Sequence, residues 1–356
     1  KENAVVGDVA RLGVNIIEVD KPNVRIGAGS SKLIEIIDND NGGIGLTIVD
    51  FVVGNGGNTC FVYSSGVLKC WGANEYGQLG DGTITNRTTP TSVNSAQIFK
   101  KVMDNGGPST CGQTTSNKVY CWGWGGGGQL GNGGSSQQLS PTQVDGGAVY
   151  LKVETGGGQG CGINASSKLR CWGFNSYGQV GDNSTTARFT PVNVDNAEDY
   201  QAIGLGYQHS CAISSSGALK CWGRNQYGQL GDNSTTNSIV PKVIDTGVNY
   251  QSVSGSSRHT CGITSTGVLK CWGDNANGQL GDGTTTASLV PKVIDSGVSY
   301  SYVETDYNGI QLTCGITTAG ILKCWGKNAN GLVGDGSYTN RLAPVVVDAV
   351  NTYTKV

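Results

Sequence analysis

An all-β propeller is the fold this sequence predicts, and three observations predict it. Two cysteines stand ten positions apart six times: Cys60 and Cys70, Cys111 and Cys121, Cys161 and Cys171, Cys211 and Cys221, Cys261 and Cys271, Cys314 and Cys324. The second of each pair opens Cys-Trp-Gly. A proline follows each of those tryptophans nineteen residues later, at Pro90, Pro141, Pro191, Pro241, Pro291 and Pro344. The apolar runs in between are short and bounded by Gly, Asn, Asp, Ser or Pro, which marks strands three to five residues long. The period is 50 to 53 residues. A unit of that length with three or four short strands is one propeller blade, and stacking neighbours buries the apolar face that a single blade cannot. No window carries a clean helical period, and the 58 glycines would be costly in helices.

Each blade opens with an aromatic-x-x-aliphatic strand: Phe99…Val102, Tyr150…Val153, Tyr200…Ile203, Tyr250…Val253 and Tyr300…Val303. The two cysteines then flank a Ser/Thr/Gly turn, which places them opposite each other across a β-hairpin. Cβ atoms directly opposite lie about 4.5–5.5 Å apart, and a disulfide needs about 3.5–4.5 Å. A twisted, non-hydrogen-bonded pair supplies that, so six disulfides inside the hairpins are expected; the alternative is cysteine as a small buried hydrophobe. The next turn, Asn-x-x-Gly-Gln-Leu-Gly-Asp, carries Leu79, Leu130, Leu230 and Leu280 as core plugs. The tryptophans of Cys-Trp-Gly recur once per blade and are expected to pack between blades.

The string His-x-Cys-x-Ile…Gly-x-Leu-Lys-Cys-Trp-Gly-x-Asn-x-x-Gly-Gln-Leu-Gly-Asp resembles the repeat of the regulator of chromosome condensation family, from about residue 50 to the C terminus. Members secreted by bacteria look closest, since they share Leu-Lys-Cys-Trp-Gly. The resemblance implies a seven-bladed propeller with four-stranded blades. This chain departs from it in having six clear repeats. Its C terminus, Tyr353-Thr-Lys-Val356, repeats the opening of a blade with nothing after it. Residues 1–50 lack Cys-Trp-Gly but hold strand-like runs at 23–26, 32–37 and 44–53. The division is therefore an N-terminal β extension, 1–50, and a six-repeat propeller, 51–356. The extension either completes a seventh blade with the C-terminal strand or pairs with another subunit.

The net charge is −2 and 14% of residues are charged. That is below the roughly 25% usual in soluble proteins, and the basic footprint of a nucleic-acid binder is absent. No apolar run reaches 18 residues, so no membrane span is expected. No secretory leader is legible, so an exported protein would be represented by its mature chain. Paired cysteines point to an oxidising compartment, hence to an extracellular or cell-surface location. Sequons stand at Asn86, Asn164, Asn183 and Asn233 as candidate glycosylation sites.

Little in the sequence suggests catalysis. The only histidines, His209 and His259, occupy matching positions in adjacent repeats, as structural residues do, and neither is singled out as a catalytic base would be. Ten-residue cysteine spacing does not suit zinc. Gly-Gln-Leu-Gly-Asp-Gly at 77–82 and 278–283 lacks the Lys-Ser/Thr of a phosphate loop and reads as a turn. Asp38-x-Asp40-x-Gly42-Gly43 has a faint calcium-loop look but reads as a hairpin turn. No metal, no cofactor and no enzymatic activity are expected.

Two rings of residues are candidates for contact with a partner. Two positions after each Cys-Trp-Gly tryptophan stand Ala73, Trp124, Phe174, Arg224, Asp274 and Lys327. This position varies while its neighbours repeat, and in a repeat array variable positions face solvent or a partner. Trp124, Phe174 and Arg224 fall on consecutive blades and are interface-anchoring types. Before each second cysteine stand Lys69, Arg170, Lys220, Lys270 and Lys323, with Tyr120 as the exception; these form either a solvated face or an attraction for an anionic surface polysaccharide. The expected function is a non-enzymatic extracellular structural or protein-binding module, bound to a protein or to copies of itself, as a surface or filamentous appendage component. A secreted enzyme inhibitor is the first alternative, since an inhibitor of β-lactamases resembles this fold. Nucleotide exchange or chromatin binding, implied by the intracellular family members, is disfavoured by the acidic charge and the paired cysteines.

Overall fold

The computed structural model describes residues 47–306 and 309–354. The expected strands at 23–26 and 32–37 and the turn at 38–43 lie outside these residues, and of the 44–53 run the strand Ile48–Val53 is seen.

The described chain forms six blades of four antiparallel strands each, joined in sequence order. In the second blade these are Phe99–Asp104, Ser109–Thr114, Val119–Gly123 and Gln138–Gln143. The fourth and fifth blades share one long strand, Ser238–Gly255, which serves as the last strand of one and the first of the next. First strands of neighbouring blades pack against one another and line the axis. The repeating prolines sit in the fourth strands, where one edge has no ladder to feed and a missing N–H costs little.

All twelve cysteines are oxidised in the expected nearest-pair pattern, and none is left free. Cys60 bonds to Cys70 in the first blade, Cys111 to Cys121 in the second and Cys161 to Cys171 in the third. Cys211 bonds to Cys221, Cys261 to Cys271 and Cys314 to Cys324 in the fourth, fifth and sixth. The alternative reading of these residues as small buried thiols is therefore set aside. In every hairpin the two cysteines are direct register partners, with Cα atoms 4.1 Å apart. That is the spacing of a non-hydrogen-bonded pair, the narrower of the two antiparallel alternatives.

The seam between blades is built from the same repeat. Trp122, Trp172, Trp222, Trp272 and Trp325 are fully buried. Each donates its indole N–H to the backbone carbonyl of Gln78, Gln129, Gln179, Gln229 or Gln279 on the preceding blade, at 2.9–3.2 Å. The Gly-Gln-Leu-Gly string is therefore a seam, not a phosphate loop. A side chain at Gly80 or Gly181 would run into the neighbouring indole at about 2.5 Å. The Leu plugs at 79, 130, 230 and 280 are fully buried beside it. Trp71 departs from the expectation that all six tryptophans are core. It is only half-buried.

Four members of the ring of cations are engaged in ion pairs between blades. Arg170, Lys220, Lys270 and Lys323 each pair with an aspartate of the preceding blade: Asp145, Asp195, Asp245 and Asp295. The same carboxylates accept a hydrogen bond from Tyr150, Tyr200, Tyr250 and Tyr300, the opening aromatics of the following blade. Burial pushes these tyrosine hydroxyls well above their ordinary range, and the adjacent carboxylate adds to it. Sequence reasoning missed the ion pairs because the partners stand 25 to 28 positions apart and meet only across a seam.

Candidate interaction face

The variable position two residues after each seam tryptophan lies at the end of the blades where the first strand turns into the second. Its backbone N–H bonds the residue just before each second strand: Trp124 to Pro108, Phe174 to Gly158, Arg224 to Gln208 and Asp274 to Arg258. This places the variable side chains and the loops around 55, 107, 157, 207, 257 and 310 on one face of the propeller.

Trp124 and Phe174, on adjacent blades, are in ring contact with centroids 5.7 Å apart. Arg224 lies over Tyr177 of the preceding blade at 5.2 Å and near Tyr227 of its own at 5.7 Å. Arg258 stacks on the Tyr227 ring at 4.7 Å. The three predicted residues thus fall within one face, as the start of a longer ladder: Trp124 against Phe174, then Tyr177, Arg224, Tyr227 and Arg258. All are half-buried except Arg258, which is exposed. Such rings and guanidinium groups are partly desolvated and held in place, which lowers the entropy lost when a partner docks.

The sequence makes room for the aromatic pair. Four blades fix this turn with a repeated asparagine: Asn175, Asn225, Asn275 and Asn328 accept from the plug residue's N–H and donate to loop carbonyls, as Asn74 does in the first blade. The second blade has Gly125-Gly-Gly-Gly128 instead. A side chain at Gly127 would lie 2.4 Å from the Phe174 ring, and one at Gly126 would lie 2.7 Å from Trp124. Tyr177 and Tyr227 hold the position of Gly127 in the third and fourth blades. The glycine run was legible in the sequence, but its meaning depends on Phe174 reaching across from the next blade. Tyr177, Tyr227 and Arg258 were missed because each looks like an ordinary loop residue until the blades stand side by side.

The histidines take no part in this face. His209 and His259 are fully buried. Their Nε2 atoms lie 2.8 Å from the hydroxyls of Thr260 and Thr313 on the following blade. Those hydroxyls donate to the carbonyls of Gln229 and Gln279, so each histidine carries its proton on Nε2 and is neutral. Burial pushes both down to about 3. Among the described residues no group of three His, Cys, Asp or Glu side chains could hold a metal ion. Among the same described residues no helix is long and apolar enough to cross a membrane.

The sequons separate by geometry. Asn86 is engaged, accepting from the Asn74 N–H and donating to Glu75. Asn164 accepts the N–H groups of Ser166 and Lys168. Asn183 and Asn233 are exposed, with φ near +60° at a position where other blades carry Gly82, Gly133, Gly283 and Gly336.

Models of the regulator of chromosome condensation (RCC1) repeat match residues 65–104, 116–161, 169–213 and 216–263, and a second model of the same repeat matches 200–229 and 250–279. The chain belongs to the RCC1 repeat family. The ultraviolet-B receptor UVR8 of Arabidopsis thaliana is 35% identical over 88 residues, 24% of this chain and 20% of that protein. The E3 ubiquitin-protein ligase HERC2 of Homo sapiens is 32% identical over 115 residues, 31% of this chain and 2% of that protein. The matches thus span a fifth or less of those relatives. Among solved RCC1-type folds, Prp20p from Saccharomyces cerevisiae superimposes with a TM-score of 0.71 at 18% identity, over 85% of this chain and 77% of that one. Human WBSCR16 gives 0.72 at 19%, over 82% and 80%. At these identities the likeness establishes the RCC1 propeller fold. The yeast structure was described together with that protein's binding properties to Gsp1p and histones.

Proposed function

We propose that this chain is a non-enzymatic, extracellular propeller that binds a protein partner through the face carrying Trp124, Phe174 and Arg224. The observation that carries the reading is the ladder itself. Across the second to fifth blades aromatic and arginine side chains converge on one face: Trp124, Phe174 and Arg224 from a position that varies between blades, Tyr177 and Tyr227 from one that repeats, and Arg258 beside them. Large aromatic and arginine side chains are the ones that dominate binding energies. The extracellular placement rests on the six disulfides with no free cysteine, which an oxidising compartment maintains. The non-enzymatic reading rests on the histidines, both neutral, buried and committed to seams. A partner that is an enzyme would make the chain an inhibitor by the same face.

A photo-crosslinking residue at position 124 or 174, offered the surface and secreted proteins of the source cells, should trap one defined partner, and the same residue at position 91, on a fourth strand, should not. The Trp124→Ala, Phe174→Ala double variant should then weaken that complex by about 2 kcal/mol or more, close to 30-fold. Unchanged affinity would remove this face from the partner's footprint.

A further inference from the structure

The ladder ends at a depression of about 290 Å³ lined by Asn55, Tyr207, Arg224, Ser257, Arg258 and Gln311, drawn from the first, fourth, fifth and sixth blades. Its volume falls just below the roughly 300–1,000 Å³ of small-molecule sites, so it suits one or two side chains of a docking protein better than a free ligand.

Its chemistry is specific. Arg224 and Arg258 both lie against the ring of Tyr227, which brings two guanidinium groups to one wall. Arg224 is held there by hydrogen bonds to Gln208 and Gln226. Arg258 stands 4.0 Å from Asp274, too far for a direct hydrogen bond, and its side chain is 45% exposed. Among the described residues the neighbouring acids already accept hydrogen bonds, Asp274 from Gln311 of the same depression. Asp274 accepts from Ala276 and Gln311, Asp104 accepts from the N–H of Asn55, and Asp306 accepts from the N–H of Ile310. The rest of the lining is neutral amide and hydroxyl. A guanidinium fork already stacked on an aromatic ring and open on its other side binds carboxylate in bidentate fashion with little ordering cost.

We infer that this depression is an acidic-residue subsite: Arg224 and Arg258 receive an aspartate or glutamate side chain of the protein that docks on the aromatic ladder. The inference rests on the protein-binding reading above and names the partner's chemistry.

The test uses the full chain and fluorescence anisotropy of a fluorescein-labelled hexaglutamate peptide at low ionic strength, with hexaglutamine as its uncharged counterpart. Hexaglutamate should bind and hexaglutamine should not. The Arg224→Gln, Arg258→Gln double variant should weaken binding at least tenfold, with an unchanged melting temperature. Lys100→Gln removes a cation at the opposite end of the blades, beside Asn117, and should leave binding intact. Absence of hexaglutamate binding, survival of binding in the double arginine variant, or equal loss in Lys100→Gln would overturn the subsite. Full displacement by millimolar sulfate would also overturn it, by assigning the pocket to a small free anion. The two readings fail separately. If a partner trapped at position 124 loses affinity in the Trp124→Ala, Phe174→Ala variant but not in the arginine variant, the interaction face stands and its acidic specificity falls.

Discussion

Lys270 Nζ lies 2.6 Å from Asp245 Oδ2, an ion pair that joins the fifth blade to the fourth. Tyr250 donates to the same carboxylate at 2.7 Å. The trio recurs at four seams and is replaced as a set at one: between the first and second blades the three positions hold Asn94, Phe99 and Tyr120. There Phe99 and Tyr120 meet edge to face at 6.3 Å inside an apolar cluster. Carboxylate, hydroxyl and cation are thus present together or absent together, as expected when any one alone would be left partly buried without its partner.

Exchanging one seam type for the other tests this coupling. Lys270→Tyr alone should destabilise by about 1–3 kcal/mol, between the values for exposed and buried pairs. The triple change Asp245→Asn, Tyr250→Phe, Lys270→Tyr should recover most of that loss, because it reproduces the seam already present at 94, 99 and 120. Urea denaturation of the three single variants and the triple gives the interaction energy. Simple additivity of the losses would show the three residues to be independent.

The buried histidines set an acid limit on stability. Each has a folded pKa pushed from 6.5 to about 3 by burial. Above pH 6.5 neither state is protonated. As pH falls from there toward 3 the unfolded chain binds two protons that the folded chain refuses, so folding stability declines by about 3 kcal/mol per pH unit for the pair. Asp195, where burial is outweighed by the Lys220 cation and its hydrogen bonds so that the carboxyl lies below its ordinary range, begins to matter only below about 4. Denaturation at pH 7.0, 5.5 and 4.5 should show the slope. Asparagine fills this position in the first blade, where Asn58 reaches Thr110 at 3.0 Å, so His209→Asn with His259→Asn should flatten it.

Expression in a eukaryotic secretory host sorts the four sequons. Asn183 and Asn233 should carry glycan, because their side chains are exposed and unengaged, and glycopeptide mass spectrometry will report them. Asn86 and Asn164 should stay largely bare, since their amides already close turns. Full occupancy at Asn86 would mean that its turn opens before the blade closes.

The first and sixth blades carry residues equivalent to the two sides of a seam. Trp71 and Lys69 present the receiving side of a junction on the first blade, where Lys69 sits near the Tyr63 ring. Asp348 and Tyr353 present the donating side on the sixth, joined at 2.7 Å, with the Tyr353 N–H bound to Gly320 as Tyr300 is to Gly267. The expectation that the N-terminal extension either completes a blade or pairs with another subunit falls on residues outside those described, and truncation tests it. A chain beginning at residue 47 should be less stable but monomeric by light scattering. A truncated chain of unchanged stability that loses the ability to self-associate would assign the segment to subunit exchange instead.

The repeat alone determined the blade, the hairpin disulfides and the Trp seams. Those features depend on residues within ten or twenty positions of one another, or on one contact repeated five times, and local spacing records both. Trp124, Phe174 and Arg224 were legible for the converse reason: they break a pattern the rest of the chain keeps. Only the tertiary structure showed that Lys220 belongs to Asp195 rather than to solvent, and that Gly127 exists to admit Phe174. It alone brought Arg258, Tyr227 and Tyr177 into the same ladder. Each of these relationships crosses from one blade to the next. The radial packing of separate sheets sets such distances, and the order of residues along one strand carries no record of which neighbour it will face.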